Sequence, residues 1–162
     1  MGKTTPIDLN VRLSPHFTLY ELCRSATAER AGIANVPPKV TIKRLELVCV
    51  NLLEKVRDHF GIPLCPSSGY RSRRVNALVG STPSSQHLKG EAVDFEISGV
   101  YNAEVAIWIR DNLDFDQLIL ECYTVGIQNS GWLHCSYKKK GNRRECLTFT
   151  TDKKKLDGII TG

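Results

Sequence analysis

Ser85-Gln86-His87-Leu88-Lys89-Gly90-Glu91-Ala92-Val93-Asp94 is the most informative stretch of this chain, together with Gly131-Trp132-Leu133-His134-Cys135-Ser136 further along. His87, Asp94 and His134 offer two imidazoles and one carboxylate, ligand types that suit Zn²⁺. A catalytic zinc site has three such protein ligands and keeps a fourth position for water. Taken singly, a loop histidine and a strand aspartate are ordinary surface residues. Together, two histidines and an aspartate in these surroundings are what a catalytic zinc site needs.

The two stretches are predicted to lie on strands that meet at one cleft. Residues 92–97 alternate strictly, so Asp94 lies on the face opposite Val93, Phe95 and Ile97. Residues 132–137 place Trp132, His134 and Ser136 on one side by the same period of two. Two neighbouring strands would then present Asp94 and His134 together, with His87 reaching them from the preceding loop.

Hydrophobic periodicity, together with helix-capping and helix-terminating residues, predicts the remaining elements. Thr18 and Glu21 form a capping-box signature, and apolar residues recur at helical spacing up to the stop at Gly61. We predict helices over 17–23, 42–60 (capped by Thr41), 73–79 and 102–112, a loop over 28–38, and strands over 63–70, 92–97, 115–122, 132–137 and 146–150 (an edge strand). Because helices come first and most strands follow, the predicted class is α+β, one domain with an antiparallel sheet packed against helices. An N-terminal arm over 1–14 and a basic tail over 151–162 flank a domain over 15–150.

Composition is typical of a globular protein, and the N-terminal sequence favours synthesis in the cytoplasm. The chain has 162 residues, 41% hydrophobic and 24% charged, with a formal net charge of +5. No segment resembles a signal peptide or a membrane span, so we expect cytoplasmic synthesis and no membrane insertion. Six cysteines without a Cys-x-x-Cys pair are expected to stay reduced, many as core residues.

Several separated blocks of the chain, in order, resemble the M15 peptidases. The matching blocks are Ser68-Gly69-Tyr70-Arg71-Ser72, Ser85-x-His87-x-x-Gly90-x-Ala92-x-Asp94 and Gly131-Trp132-x-His134-x-Ser136. The M15 family comprises zinc D-alanyl-D-alanine carboxypeptidases and related peptidoglycan peptidases, which share a fold with the hedgehog signalling domain. The blocks Phe17-Thr18-Leu19-x-Glu21-Leu22, Ser25-x-Thr27-Ala28, Gly32-Ile33-x-Asn35-x-Pro37-Pro38 and Phe115-Asp116-Gln117-Leu118-Ile119-x-Glu121 are similar to the phage and prophage branch. The resemblance runs from about residue 14 to 150.

The resemblance implies a function and assigns roles. His87, Asp94 and His134 would bind Zn²⁺, Arg71 would contact the substrate carboxylate or the oxyanion, and Ser85 would lie near the ligand loop and the substrate. The implied activity is hydrolysis of peptide stems in bacterial peptidoglycan, as a carboxypeptidase or an endopeptidase. We expect a monomeric bacteriophage or prophage endolysin that reaches the cell wall after release or export by another protein.

The general base is where the sequence departs from the family pattern. Many members carry Glu three residues before the last histidine, where this chain has Gly131, and the hedgehog position holds Gln128. Glu121, on the strand that precedes the His134 strand, is the predicted base, with Asp116 as the fallback.

Two other functions compete with this interpretation. The absence of Glu at position 131 would also suit a metal-retaining, non-catalytic hedgehog-like or phage structural module. A nucleic-acid binder would need clustered basic residues with aromatics between them. Only 7% of residues are aromatic and the basic residues are scattered, so we expect no nucleic-acid partner.

Overall fold

A mixed five-stranded sheet carries both predicted ligand strands in the computed structural model, which describes residues 7–162. The strands are β1 (Ala92–Phe95), β2 (Gln117–Tyr123), β3 (Trp132–Ser136), β4 (Glu145–Thr150) and β5 (Lys155–Asp157). Their order across the sheet is β1-β3-β2-β4-β5. The α+β class is confirmed. The sheet is not wholly antiparallel as predicted, because β4 runs parallel to β2 and is an inner strand rather than an edge.

Six α-helices lie within residues 7–162, most of them before the sheet in sequence. They are α1 (Leu19–Cys23), α2 (Ala26–Ala31), α3 (Lys39–Val48), α4 (Glu54–Phe60), α5 (Arg73–Leu78) and α6 (Asn102–Asn112). A π-helical segment, Cys49–Leu53, joins α3 to α4 without a break in the backbone, so the predicted long helix exists but has one wider turn. A 3₁₀ turn, Gln86–Lys89, precedes β1.

Capping residues explain where the early helices begin and end. Thr18 and Glu21 make the predicted capping box of α1. The long helix begins at Lys39 after Pro38, and Thr41 lies inside it rather than at its cap. The predicted loop over 28–38 is wrong in part, because Ser25 caps α2 and Gly32 ends it in the left-handed conformation.

The predicted strand over 63–70 does not form. Only Ser68 of this segment pairs in β fashion, through an isolated antiparallel bridge to Asp94. The segment is nevertheless fixed, because the Asp94 amide donates to the Ser68 carbonyl at 2.8 Å and the Ser67 amide donates to the Asp94 carbonyl at 2.9 Å. It therefore lies beside β1 as an irregular flank of the sheet.

One face of the sheet forms the core and the other remains free for a site. Helix α6 packs against β2 and β3, and α3 packs against β1. The core face presents the buried side chains Val93, Phe95, Leu118, Leu120, Leu133 and Cys135. Each fully buried side chain of this size contributes about 1.5–3 kcal/mol to folding. The opposite face carries the predicted ligands Asp94 and His134, which line a cleft.

The ends of the chain differ from simple tails. Residues 1–6 of the predicted arm lie outside the described residues, and Ile7 and Leu9 pack against the core. The predicted basic tail contains β5, which pairs antiparallel with β4. In the described part of the chain all six cysteines are free thiols, and three of them are buried. Across residues 7–162, no helix combines the length and apolar character that crossing a bilayer requires.

Candidate metal centre and its cleft

Strand register brings two of the three predicted ligands side by side. Asp94 on β1 lies directly opposite His134 on β3, and His134 lies opposite Ile119 on β2. Directly opposed residues of antiparallel strands point to the same face of a sheet. Both side chains therefore project to the face opposite the core, as the alternation predicted.

The third ligand comes from the 3₁₀ turn before β1. The Ser85 hydroxyl accepts a hydrogen bond from the His87 amide at 3.3 Å and caps this turn. Gly90 ends it with φ +70°, and a Cβ there would lie 2.5 Å from Thr41 Cγ2 and 2.9 Å from the Thr41 carbonyl oxygen. The turn therefore packs closely on α3, which fixes where His87 enters the cleft. Ser85 has a capping role, and its contact with substrate stays a prediction.

The three candidate ligand atoms converge on one point. His134 Nδ1 lies 2.9 Å from Asp94 Oδ1, and His87 Nε2 lies 3.2 Å from the same oxygen. The two ring nitrogens are 3.3 Å apart. The residues are only 3%, 7% and 9% exposed for His87, Asp94 and His134, and buried ionisable groups of this kind need partners or a metal. This cluster is one that could hold a metal ion.

The protonation pattern of the cluster fits a divalent cation. The Gly69 carbonyl lies 2.7 Å from His87 Nδ1, and because a carbonyl only accepts, the proton belongs on Nδ1. Burial lowers the pKa of His87, which favours the neutral ring with a lone pair on Nε2. Burial opposes ionisation of Asp94, but the hydrogen bond from His134 holds the pKa of this carboxyl well below its usual range. Neutral imidazole and ionised carboxylate are the forms that bind Zn²⁺.

Backbone and side-chain contacts behind the ligands hold them in place. Arg71 Nη2 donates to Asp94 Oδ2 at 2.8 Å, and its Nε donates to Ser68 Oγ at 2.9 Å. Arg71 therefore orients the free oxygen of the candidate ligand carboxylate while it lines the cleft. A Cβ on Gly69 would lie 2.3 Å from the Leu22 carbonyl oxygen, so the carbonyl that orients His87 depends on a residue without a side chain.

Asn35 is a positioning residue that the sequence-based interpretation left in a loop. Its amide nitrogen donates to the carbonyls of Cys23 and Tyr70, and its side-chain oxygen accepts from the Ser72 amide at 2.7 Å. It thereby ties α1 to the segment that carries Arg71. The available signal was its place in the block Gly32-Ile33-x-Asn35-x-Pro37-Pro38, which resembles the phage and prophage branch.

Glu121 lies on the same face as the ligands, at a β-bulge. Glu121 pairs with Trp132, which lies two residues before His134 on β3. Glu121, Trp132 and His134 all line the cleft. The pairing of β2 with β4 shifts after Leu120, and Cys122 has φ +52°. Bulges re-aim side chains near functional sites. Burial raises the pKa of the Glu121 carboxyl, opposed by the charge of His134 and reinforced by that of Asp94.

Gly131 is explained by this bulge. It has φ +67°, and a Cβ there would lie 2.0 Å from the Glu121 carbonyl oxygen and 3.0 Å from Cys122 backbone atoms. A glutamate at position 131 is therefore incompatible with the backbone that places Glu121 on the cleft. The departure from the family pattern and the position of Glu121 are linked through one backbone contact.

Asp116, the fallback base, is a structural ion-pair partner. Its carboxylate is almost fully buried and lies 2.8 Å from Lys138 Nζ and 2.6 Å from Arg143 Nη2. Burial opposes its ionisation, but the hydrogen bonds from Arg143 and Lys138 hold the pKa of Asp116 far below its usual range. A carboxylate so firmly ionised and so fully hydrogen-bonded is a poor proton acceptor.

The ligands lie in a cleft of about 760 Å³ with a mixed wall. The lining combines the apolar side chains of Trp132, Ile119 and Phe149 with polar residues from the segment before β1, namely Ser81, Thr82, Ser84, Ser85 and Gln86. The lining carries four cationic side chains and four carboxylates: Arg71, Lys89, Lys138 and Arg143, and Glu91, Asp94, Asp116 and Glu121. Three of the cations pair with Asp94 or Asp116.

Fold and site together define a small α+β protein with a buried two-histidine, one-aspartate centre in an open cleft. The family described as Peptidase M15 matches residues 15–136, about three quarters of the chain. The chain therefore belongs to the M15 peptidase family, as the sequence motifs predicted. No curated protein matches the chain.

Proposed function

We propose that this protein is a zinc-dependent peptidase that cleaves peptide stems of bacterial peptidoglycan, in the manner of a phage or prophage endolysin. The observation that carries the proposal is the convergence of His87 Nε2, Asp94 Oδ1 and His134 Nδ1 in a cleft that also contains Glu121. Membership of the M15 family supports hydrolysis of peptides. The positive formal charge suits an anionic wall.

His87, Asp94 and His134 would hold the zinc ion. When bound, Zn²⁺ supplies Lewis acidity toward a carbonyl oxygen and increases the acidity of water. Glu121 acts as the general base: it accepts the proton of the attacking water and returns it to the amine nitrogen as the peptide C–N bond breaks. Its raised pKa suits both halves of this transfer.

Arg71 is assigned to charge stabilisation in the same cleft. Its guanidinium carries five donors in a planar fork, and two of them are used on Asp94 and Ser68. The remaining donors suit a substrate carboxylate or the oxygen that becomes negative during attack. Ser85 remains on the turn that carries His87, next to the substrate path.

A variant series at Glu121 tests the proposal. Glu121→Gln should lower the rate of fragment release from purified peptidoglycan by about 10²–10⁴-fold, because the amide does not accept the proton. Its zinc content should match that of the wild type. Glu145→Gln, a carboxylate loss on β4 of the same sheet, is the matched control and should remain within a few-fold of wild type.

The products and the negative outcomes are equally specific. Mass spectrometry of soluble fragments identifies the bond that is cut, and new amino groups measure the rate. An unchanged rate in Glu121→Gln removes Glu121 from the mechanism. Zinc-loaded wild type that binds the metal but releases no fragment from any peptidoglycan would favour the non-catalytic module.

A further inference from the structure

A second concave surface, outside the metal cleft, is strongly basic. We call it the basic groove. It has a volume of about 700 Å³ and lies between α3 and the loop that follows β3. Its cationic side chains are Lys43, Arg44, Lys138, Lys139 and Lys140, against two carboxylates, Glu46 and Glu91.

Most of the positive charge of the groove is free to meet a ligand. Arg44 lies 3.7 Å from Glu91, and Lys138 is held by Asp116. Lys43, Lys139 and Lys140 are exposed, and within residues 7–162 no carboxylate oxygen approaches their amino groups to 4.0 Å. Three uncompensated cations on one concavity produce a local attraction for anions that scattered charges do not.

The loop that presents the lysines is fixed before any ligand binds. The Asn142 side chain accepts from the Lys138 amide at 2.8 Å and donates to the Lys138 carbonyl at 3.0 Å. Asn142 also donates to Asp114 at 2.7 Å, and the Tyr137 amide donates to the Glu91 carbonyl at 2.8 Å. A pre-organised loop loses less entropy on binding than a mobile one.

The basic groove adjoins the metal cleft. Lys138 and Glu91 line both cavities, so a polymer in the groove passes next to the cleft. The exposed Val40 and the half-buried Tyr137 and Leu47 add apolar contact without aromatic stacking surfaces in series. Repeating phosphate charges joined by flexible polyol units fit such a groove better than stacked bases do.

We propose that the basic groove binds a phosphodiester-linked polyol polymer attached to peptidoglycan, and holds the enzyme on the wall that it cleaves. The inference rests on the proposed function, since it takes the wall as the substrate. Binding is electrostatic, so it weakens as added salt shortens the Debye length below about 10 Å. The polymer is a docking partner and takes no part in peptide cleavage.

The test compares wall binding and cleavage in two triple variants. Lys43→Gln, Lys139→Gln and Lys140→Gln together remove the free charges of the groove. Lys55→Gln, Lys153→Gln and Lys155→Gln together remove the same charge from exposed positions elsewhere. Each protein is sedimented with purified walls that retain phosphodiester polymers and with walls stripped of them by mild hydrofluoric acid, at low and high salt.

The groove variant should bind polymer-bearing walls at least about tenfold more weakly at low salt, whereas the control variant should bind like the wild type. On stripped walls, all three proteins should bind equally weakly and release fragments at equal rates. Equal loss of binding in both variants, or binding unaffected by stripping, would overturn the inference. Tighter binding of duplex DNA than of soluble poly(glycerol phosphate) would assign the groove to nucleic acid instead. Absence of fragments from stripped walls counts against the proposed function, not the groove.

Discussion

Replacement of Gly131 by alanine should disrupt the contact that joins β3 to the Glu121 bulge. Two costs add at this position. A left-handed residue with a Cβ costs about 1–2 kcal/mol. The added carbon would also lie 2.0 Å from the Glu121 carbonyl oxygen, so backbone must shift, at about 1–3 kcal/mol. Gly131→Ala should therefore lower the free energy of unfolding by about 2–5 kcal/mol.

Gly141→Ala is the matched control for this change. Gly141 has φ +72°, close to +67° at Gly131, but an added Cβ there meets no atom within 4 Å. Gly141→Ala should therefore lower the free energy of unfolding only by the conformational cost, about 1–2 kcal/mol. Urea unfolding of both variants measures the difference in the free energy of unfolding. Fragment release by Gly131→Ala should fall by more than its unfolded fraction explains, because Glu121 is displaced. Equal destabilisation of the two variants with normal activity in Gly131→Ala would refute the proposed link between Gly131 and Glu121.

Three further predictions concern the groups around the cleft. Asp116→Asn should destabilise the fold by about 1–3 kcal/mol, because the buried Asp116 carboxylate loses its charge-assisted hydrogen bonds with Arg143 and Lys138. Since the folded pKa of Asp116 is depressed, this contribution is present above the unfolded pKa and is lost as pH falls through the folded pKa. Urea unfolding at pH 7 and at acidic pH measures it, and a pH-independent difference would contradict it. Gly69→Ala should weaken zinc affinity about 10–100-fold, because it moves the carbonyl that orients His87; competition with a chelator measures this, and unchanged affinity would contradict it. The acid limb of kcat/KM should lie above the ordinary pKa of glutamate, because Glu121 must be ionised to act and burial raises its pKa; a rate that stays constant into that range would exclude Glu121 as the base.

Much of the ligand geometry was predictable because it depends on local periodicity. Alternation along β1 and β3 is sufficient to place Asp94 and His134 on one face, and the structure pairs them directly. The short helix with Thr18 at its cap was predictable for the same reason, since its signal spans one turn.

The features that were missed depend on contacts between distant segments. The parallel pairing of β4 with β2 leaves no mark in the sequence of either strand. The bulge at Cys122 requires a non-glycine residue at φ +52°, which composition alone does not suggest. Gly131 reads as a missing glutamate in the sequence, and only the tertiary contact with the Glu121 carbonyl gives it a structural cause.

The metal content of the purified protein tests the proposed zinc site most directly. Elemental analysis of zinc-loaded wild type after exhaustive dialysis should give about one zinc ion per chain. His87→Ala should retain almost none, whereas His59→Ala, at an exposed histidine stacked on Trp108, should retain the wild-type amount with both variants folded by circular dichroism. Wild type that holds no near-stoichiometric zinc, or equal zinc in His87→Ala, would contradict the assignment of the site.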